Sequence, residues 1–346
     1  MAKKAKKMTI NIQCRPVLMT VLSVLTAAAV LTVTVTATAN AAAGVDANAE
    51  AKADANMETG AAPLGVTQNL KSGERSASEK LAKIVERYYQ DGLNLNPLEG
   101  TAQTGEARFE GELTISISPE HRAKEKALRQ RVQAELKSVK QSALSPADKM
   151  TVAVLARQLN ERLAGEKFPA ELMPIDQYGG LPVALAQFGT GQDIQPLKTV
   201  KNYQNYLKRL EKLPTWIDQA IVNMKLGIKR GVVQPRALIV SSLPSIKALT
   251  ETDVEKSPYY LALSIAPESF SKKDKDALAL QYRTAIKLRL APASAKLYAF
   301  LENEYLPKTR ASAGISAIPN GAAWYAFKFI MRLNLRHLAA NPRHFF

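Results

Sequence analysis

Chemistry in this chain must be built from few specialised side chains. Histidine occurs three times, at His121, His337 and His344, and cysteine once, at Cys14. A zinc hydrolase needs neutral imidazoles and a carboxylate as ligands, with a carboxylate base beside the bound water. No histidine here precedes a glutamate, and no two are four residues apart, the spacing that puts two imidazoles on one helical face. Multi-cysteine and Cys/His cages are excluded by count. His121 lies in a Glu/Lys/Arg-rich stretch next to a helix start, where a solvated side chain is expected. His337 and His344 fall in a short basic tail, and metal recruited through them is the weakest hydrolytic option. No catalytic residue and no metal ligand is assigned.

Other pairs fare no better. Glu302 and Glu304 stand two apart on a helix, so they face different ways and make a poor acid/base dyad. Pairing of one of them with Lys308 or Arg310 is the expectation. Arg236 follows Pro235 and suits a salt bridge better than a peptide carboxylate. Ser241 and Ser242 lack the Gly-x-Ser-x-Gly elbow of a hydrolase. Gly179-Gly180 and Gly189-x-Gly191 lack the strand, helix and lysine of a phosphate loop.

The elements that would position any site read as helices joined by Pro/Gly breaks. Ser76-Ala77-Ser78-Glu79 has the form of a capping box, and Leu81, Ile84, Val85 and Tyr88 follow at helical spacing. Ser118-Pro119 and Ser145-Pro146 each place an N-cap serine before a proline in the first turn. Thr199 opens the clearest amphipathic run, through Tyr203, Tyr206, Leu207, Leu210 and Leu213. Pro214 marks a kink or restart, and Gly231 a terminator. A long helix from Ser271 to about Tyr305 should bend at Pro292. Strand signals are few, at Leu113–Ser118 and near Gly314. The expected fold is mostly α: a large helical domain with kinked long helices, at most one small edge hairpin, and apparently truncated.

The chain has 346 residues with 46% hydrophobic and 23% charged, an ordinary globular balance. Its first 41 residues read as a secretory signal peptide: Lys3, Lys4, Lys6, Lys7 and Arg15, then VLMTVLSVLTAAAVLTV, then Ala39-Asn40-Ala41. An uncleaved anchor is the minority reading, and the membrane is otherwise not a partner. Cleavage near Ala41 would lower the basic count from 47 to 42 against 31 acids, a charge of +11, and export the chain to the periplasm or beyond. Residues 42–75 read as a flexible leader, 76–328 as the helical domain and 329–346 as a divergent basic tail. Basic residues alternate with glutamate on the helices, as solvated faces do, so nucleic acid is not expected as a partner.

Two segments carry a family resemblance: NYLKRLEKLPTWIDQAIVNMKLGIKRGVVQPR (Asn205–Arg236) and AFLENEYLPKTRASAGISAIPNGAAWYAF (Ala299–Phe327). Weaker echoes are YYQDGLNLNPLEGTAQTGEARFEGEL and LPVALAQFGTGQDI. The chain resembles bacterial domain-of-unknown-function family number 885, whose members resemble exported, largely helical zinc metallopeptidases. The resemblance implies a His-Glu pair and a later Pro-Gly-His downstream of the Pro-Asn-Gly segment, and neither occurs here. Zinc is thus implied for full-length relatives, and no cofactor is expected in this chain.

By the same resemblance, Arg310, Pro319, Asn320, Gly321, Trp324 and Tyr325 are candidate substrate-binding residues. GISAIPNGAAWY could form an edge strand that an extended peptide joins, with Trp324 or Tyr325 facing the cleft. A turn with its aromatics in the core is the equal alternative. After Lys328 the tail departs from the family pattern, which fits a truncated copy or a natural short form. The expected function is an exported N-terminal fragment of a zinc-metallopeptidase-like protein, without catalysis. The alternative is a helical periplasmic module that binds peptide or is completed by a separate C-terminal half.

Overall fold

A computed structural model describes residues 72–333, and every regular element among them is helical. Helix α1 (Ser72–Leu95) leads into short α2 (Pro97–Thr104), followed by α3 (Pro119–Lys137) and α4 (Pro146–Gly165). The two Ser-Pro starts form as their residues dictate. Ser118 Oγ accepts from His121 N and Ser145 Oγ from Asp148 N, each at 3.1 Å, while each proline sits where a helix has no N–H to satisfy. Helix α3 packs against both α1 and α4, and their facing stripes close over Leu81, Ile84, Leu128, Val132, Leu136, Val152, Leu155 and Leu159.

The start of α1 differs from the sequence expectation. Ser76–Glu79 lies inside the helix, which begins at Ser72, so Ser72–Arg75 are not part of a flexible leader. The Ser-x-x-Glu spacing also occurs within a helix, and here the residues before it continue the same hydrogen bonding. Ser78 Oγ instead donates to Asp148 Oδ2 at 2.6 Å, tying α1 to the first turn of α4. The signal segment, the rest of the leader and the tail beyond Leu333 lie outside the described residues. No helix among the described residues is long and apolar enough to cross a membrane.

The larger core is built by α5 (Gly180–Phe188), α6 (Val200–Leu210), α7 (Leu213–Arg230), α8 (Arg236–Ala248), one-turn α9 (Leu261–Ser264), α10 (Lys272–Ala285) and α11 (Ala291–Phe300). Thr199 and Asn202 close a reciprocal capping box on α6. Pro214 falls in the first turn of α7, so it restarts a helix rather than kinking one, and Gly231 ends α7 with φ 67°. Ile217, Met224, Ile239, Leu297 and Leu301 have no exposed surface. Truncating any of them to alanine removes transfer energy and leaves a void, about 2–5 kcal/mol each.

Helices α10 and α11 form one rod through a wider π turn at Ile286–Leu290, and a second π turn, Leu301–Tyr305, extends it. Pro292 lacks an N–H, and its ring crowds the carbonyl four residues back, at Leu288. The wide turn contains that carbonyl, which is how the rod absorbs the proline without breaking.

No strand forms among the described residues. Leu113–Ser118 is an irregular connector whose Leu113, Ile115 and Ile117 face the large core. Its alternation reports burial of one side, but no neighbouring strand pairs with it. The segment near Gly314 forms a 3-10 turn, Ile315–Ala317, before α12 (Gly321–Leu333). The fold is thus mostly α, with no edge hairpin among the described residues.

Candidate functional site

Arg310 follows the end of the long rod and locks it to the start of α8. Its backbone N–H donates to Gln234 O at 3.2 Å, and its carbonyl accepts from Arg236 N at 2.8 Å, a single parallel bridge with Pro235. Its side chain donates from Nε to Val233 O at 3.0 Å and from Nη1 to Gly314 O at 2.7 Å and to Ser312 O. Tyr305 Oη accepts from Gln234 N at 2.9 Å, and burial pushes that phenol up to about 12. Partial burial also lowers the Arg310 guanidinium, with Tyr305 opposing. Three carbonyl partners organise the loop that runs from Arg310 to α12.

At the far end of this loop, Asn320 adopts φ 58° and hands the chain to α12. Gly321 N donates to Ile318 O at 2.8 Å, and a Cβ on Gly321 would stand 1.9 Å from Ile315 O. The Pro-Asn-Gly order thus follows from backbone geometry: Asn tolerates the left-handed region and only glycine fits against that carbonyl. Pro319 covers Gly231 at the end of α7. Trp324 is buried and stacks on Phe168, centroids 5.6 Å apart, in a small core with Leu172, Val232 and Ile318. Tyr325 is 56% exposed and stacks on Phe329 at 6.1 Å. The structure brings the candidate residues onto one loop and helix start, with Trp324 turned inward and Tyr325 outward.

Elsewhere the expected pairings change. Glu304 pairs with Lys225 at 3.0 Å and Glu302 accepts from Tyr298 Oη at 2.7 Å, so neither reaches Lys308 or Arg310. Arg236 reaches the Leu306 carbonyl at 3.5 Å instead of a carboxylate. His121 is buried rather than solvated, in the first turn of α3 where its backbone N–H meets the Ser118 cap. Its Nε2 lies 3.7 Å from Glu125 Oε1, an ion-pair distance too long for a hydrogen bond. Burial opposes ionisation of Glu125, yet His121, Arg129 and Asn96 outweigh it and hold the carboxyl down at about 2. His121 and Glu125 have no third His, Cys, Asp or Glu among the described residues grouped with them. Among the described residues no three His, Cys, Asp or Glu side chains converge to hold a metal ion, so these residues do not fit the zinc implied for relatives.

The sequence reading passed over a second polar centre. Arg209, on α6, has no exposed surface. Its guanidinium donates to Gln195 Oε1 at 2.5 Å, Thr101 Oγ1 at 2.6 Å, Phe109 O at 2.5 Å and Glu112 O at 3.0 Å. Burial lowers it to about 10, with the charges of Glu110 and Glu112 opposing. Buried Glu110 takes Asn202 Nδ2 and Asn205 Nδ2 on one oxygen, at 2.8 and 2.9 Å. Beside this centre opens a cavity of about 520 Å³ between the end of α2 and the loop from α5 to α6. Asn202, Asn205 and Arg209 stand at i, i+3 and i+7, a polar row parallel to the apolar stripe. That spacing was the available signal.

Comparison with known proteins agrees with this architecture. No curated protein matches the chain. A solved structure titled "The crystal structure of the putative lipoprotein from Colwellia psychrerythraea" superposes with TM-score 0.61 at 18% identity, over 73% of this chain and 46% of that one. At that identity the likeness is one of fold. The chain spans under half the length of that protein. A family model described as "Bacterial protein of unknown function (DUF885)" matches residues 97–336, covering both polar centres, and the chain belongs to that family.

Proposed function

We propose that this chain is an exported, non-catalytic helical module of a zinc-metallopeptidase-like family, and that it holds an extended peptide against the start of α12. The observation that carries the reading is the Arg310 anchor. It fixes one loop through three carbonyls and so sets exposed Tyr325, stacked on half-buried Phe329, in a defined place. Stacked aromatics at a rigid edge offer apolar contact at small entropic cost, which suits the side chains of a passing peptide. Export is supported by the basic, apolar and small-residue order of the first 41 residues and by the lipoprotein title of the structural relative. The chain covers 46% of that structure, and a complementary C-terminal half is the second partner proposed.

The test is retention of the purified chain on immobilised peptides rich in apolar residues. Tyr325→Ala should weaken retention by about tenfold with little change in melting temperature, since the ring is exposed. Equal retention of the variant, or none by the parent, would remove the peptide reading. Chelator-sensitive peptide cleavage by the chain alone would overturn the non-catalytic part.

A further inference from the structure

Two stretches free of acidic residues meet at the edge that carries Tyr325. Residues 219–250 and 305–333 together contain nine Lys and Arg and no Asp or Glu. The fold joins them twice, through the Pro235–Arg310 bridge and through the small core in which Val232 packs with Ile318 and Trp324. The acids that adjoin this core in sequence are already engaged: Glu166 with Arg129, Glu171 with Arg122 and Glu304 with Lys225. Lys167, Lys229, Arg230 and Lys328 are exposed, and none has a carboxylate partner among the described residues. The surface around the start of α12 is therefore basic.

Two of these cations are held in place by aromatic rings. Lys328 Nζ lies 5.2 Å from the Trp324 ring centre and Lys167 Nζ 5.0 Å from that of Phe168, and the two rings stack on each other. Such a contact positions an ammonium but leaves its three donors available. Lys229 and Arg230 occupy the last turn of α7, whose terminal Gly231 meets Pro319 just ahead of α12. They offset the carbonyl end of that helix and add to the same field.

Tyr325 and Lys328 are three positions apart on α12, so they are neighbours, about 5–6 Å apart at Cβ. In an extended peptide, alternate side chains share one face and stand about 7 Å apart. One apolar and one acidic residue in alternate positions can therefore meet Tyr325 and Lys328 together. Among the described side chains of α12, Tyr325 is the only large apolar one that is exposed, and Ala322 and Ala326 are exposed beside it. That suits contact with a single side chain. Adhesion to a lipid surface grows with apolar area and needs a wider face.

We propose that this edge selects acidic peptides, an inference resting on the peptide binding proposed above. An apolar side chain packs on Tyr325 and an Asp or Glu two positions away pairs with Lys328, while Lys167, Lys229 and Arg230 attract the rest of the acidic segment.

The probes are three blocked heptapeptides, each with a central phenylalanine and with glutamate, glutamine or lysine two positions to either side. Binding to the full chain is read by anisotropy of a neutral dye on the peptide, and fold by circular dichroism. The glutamate peptide should bind about fivefold tighter than the glutamine peptide at low salt, and the lysine peptide most weakly. Sodium chloride at about 0.3 M should remove most of that preference. Lys328→Gln should reduce the preference to about twofold and leave the glutamine peptide bound as before, and Lys167→Gln should reduce it less. Tyr325→Ala should weaken all three peptides alike. Equal affinity for the glutamate and glutamine peptides would overturn the acidic preference and leave the peptide reading standing. Binding of none would overturn both. A preference unchanged in folded Lys328→Gln would also overturn the proposal. So would capture by phosphatidylglycerol vesicles that the glutamate peptide cannot displace, or a dimer in sedimentation that Tyr325→Ala dissolves, since lipid or a second copy would then cover the edge.

Discussion

Glu125 shows how single side chains carry the pH response of this protein. Its carboxyl is held at about 2, against an ordinary value near 4.5, by His121, Arg129 and Asn96. A depressed carboxyl contributes stability above its unfolded value and loses it as pH falls through the folded one. The parent should therefore weaken between about pH 4.5 and 2. Glu125→Gln should lose on the order of 1–2 kcal/mol at neutral pH, after allowance for solvent screening, and show a flatter profile across that window. Urea unfolding at several pH values measures this, and parallel profiles would refute it. Arg209 makes the complementary point about legibility. Its type and spacing were readable, but a lone arginine in a sequence says nothing of four acceptors drawn from α2, the loop after it and a glutamine ahead of α6.

Among the elements, most of those with local causes matched their sequence, the start of α1 excepted. Ser118, Ser145 and Thr199 cap the helices that their neighbours announce, because a cap is settled within three residues. The strand expectations failed because a strand needs a partner that local pattern cannot supply. The start of α12 tests the argument. Gly321→Ala places a methyl into the Ile315 carbonyl and should cost about 3 kcal/mol, with the Trp324 emission shifting as its stack on Phe168 loosens. Asn320→Gly, at φ 58°, should change stability by only a few tenths of a kcal/mol. Equal losses in the two variants would place the strain elsewhere than the Ile315 contact.

At the scale of the molecule, the larger core is held by buried tyrosines as well as aliphatic residues. Tyr206 Oη donates to Leu185 O at 2.7 Å, Tyr282 Oη to Tyr203 O at 2.8 Å, and Tyr259 meets Ser294 at 3.0 Å. Burial raises all three phenols well above their ordinary value. A phenol raised on folding stabilises below its unfolded value, near 10, and that contribution is lost as pH climbs beyond it. Alkaline titration should show exposed tyrosines ionising first and the buried set only with cooperative unfolding, followed by absorbance at 295 nm and circular dichroism. Ionisation of all tyrosines in one gradual step, with the helical signal intact, would contradict this packing.

The family likeness, the apolar faces and the helix starts at Ser118, Ser145 and Thr199 follow from the sequence by itself, the caps because each rests on neighbours a few residues apart. Whether a candidate side chain points outward like Tyr325 or inward like Trp324, what Arg310 grips, and that Arg209 and Gln195 share a centre are matters of tertiary structure. Those relations join residues up to 108 positions apart, and only the packing of helices brings such groups within the three ångströms at which hydrogen bonds act.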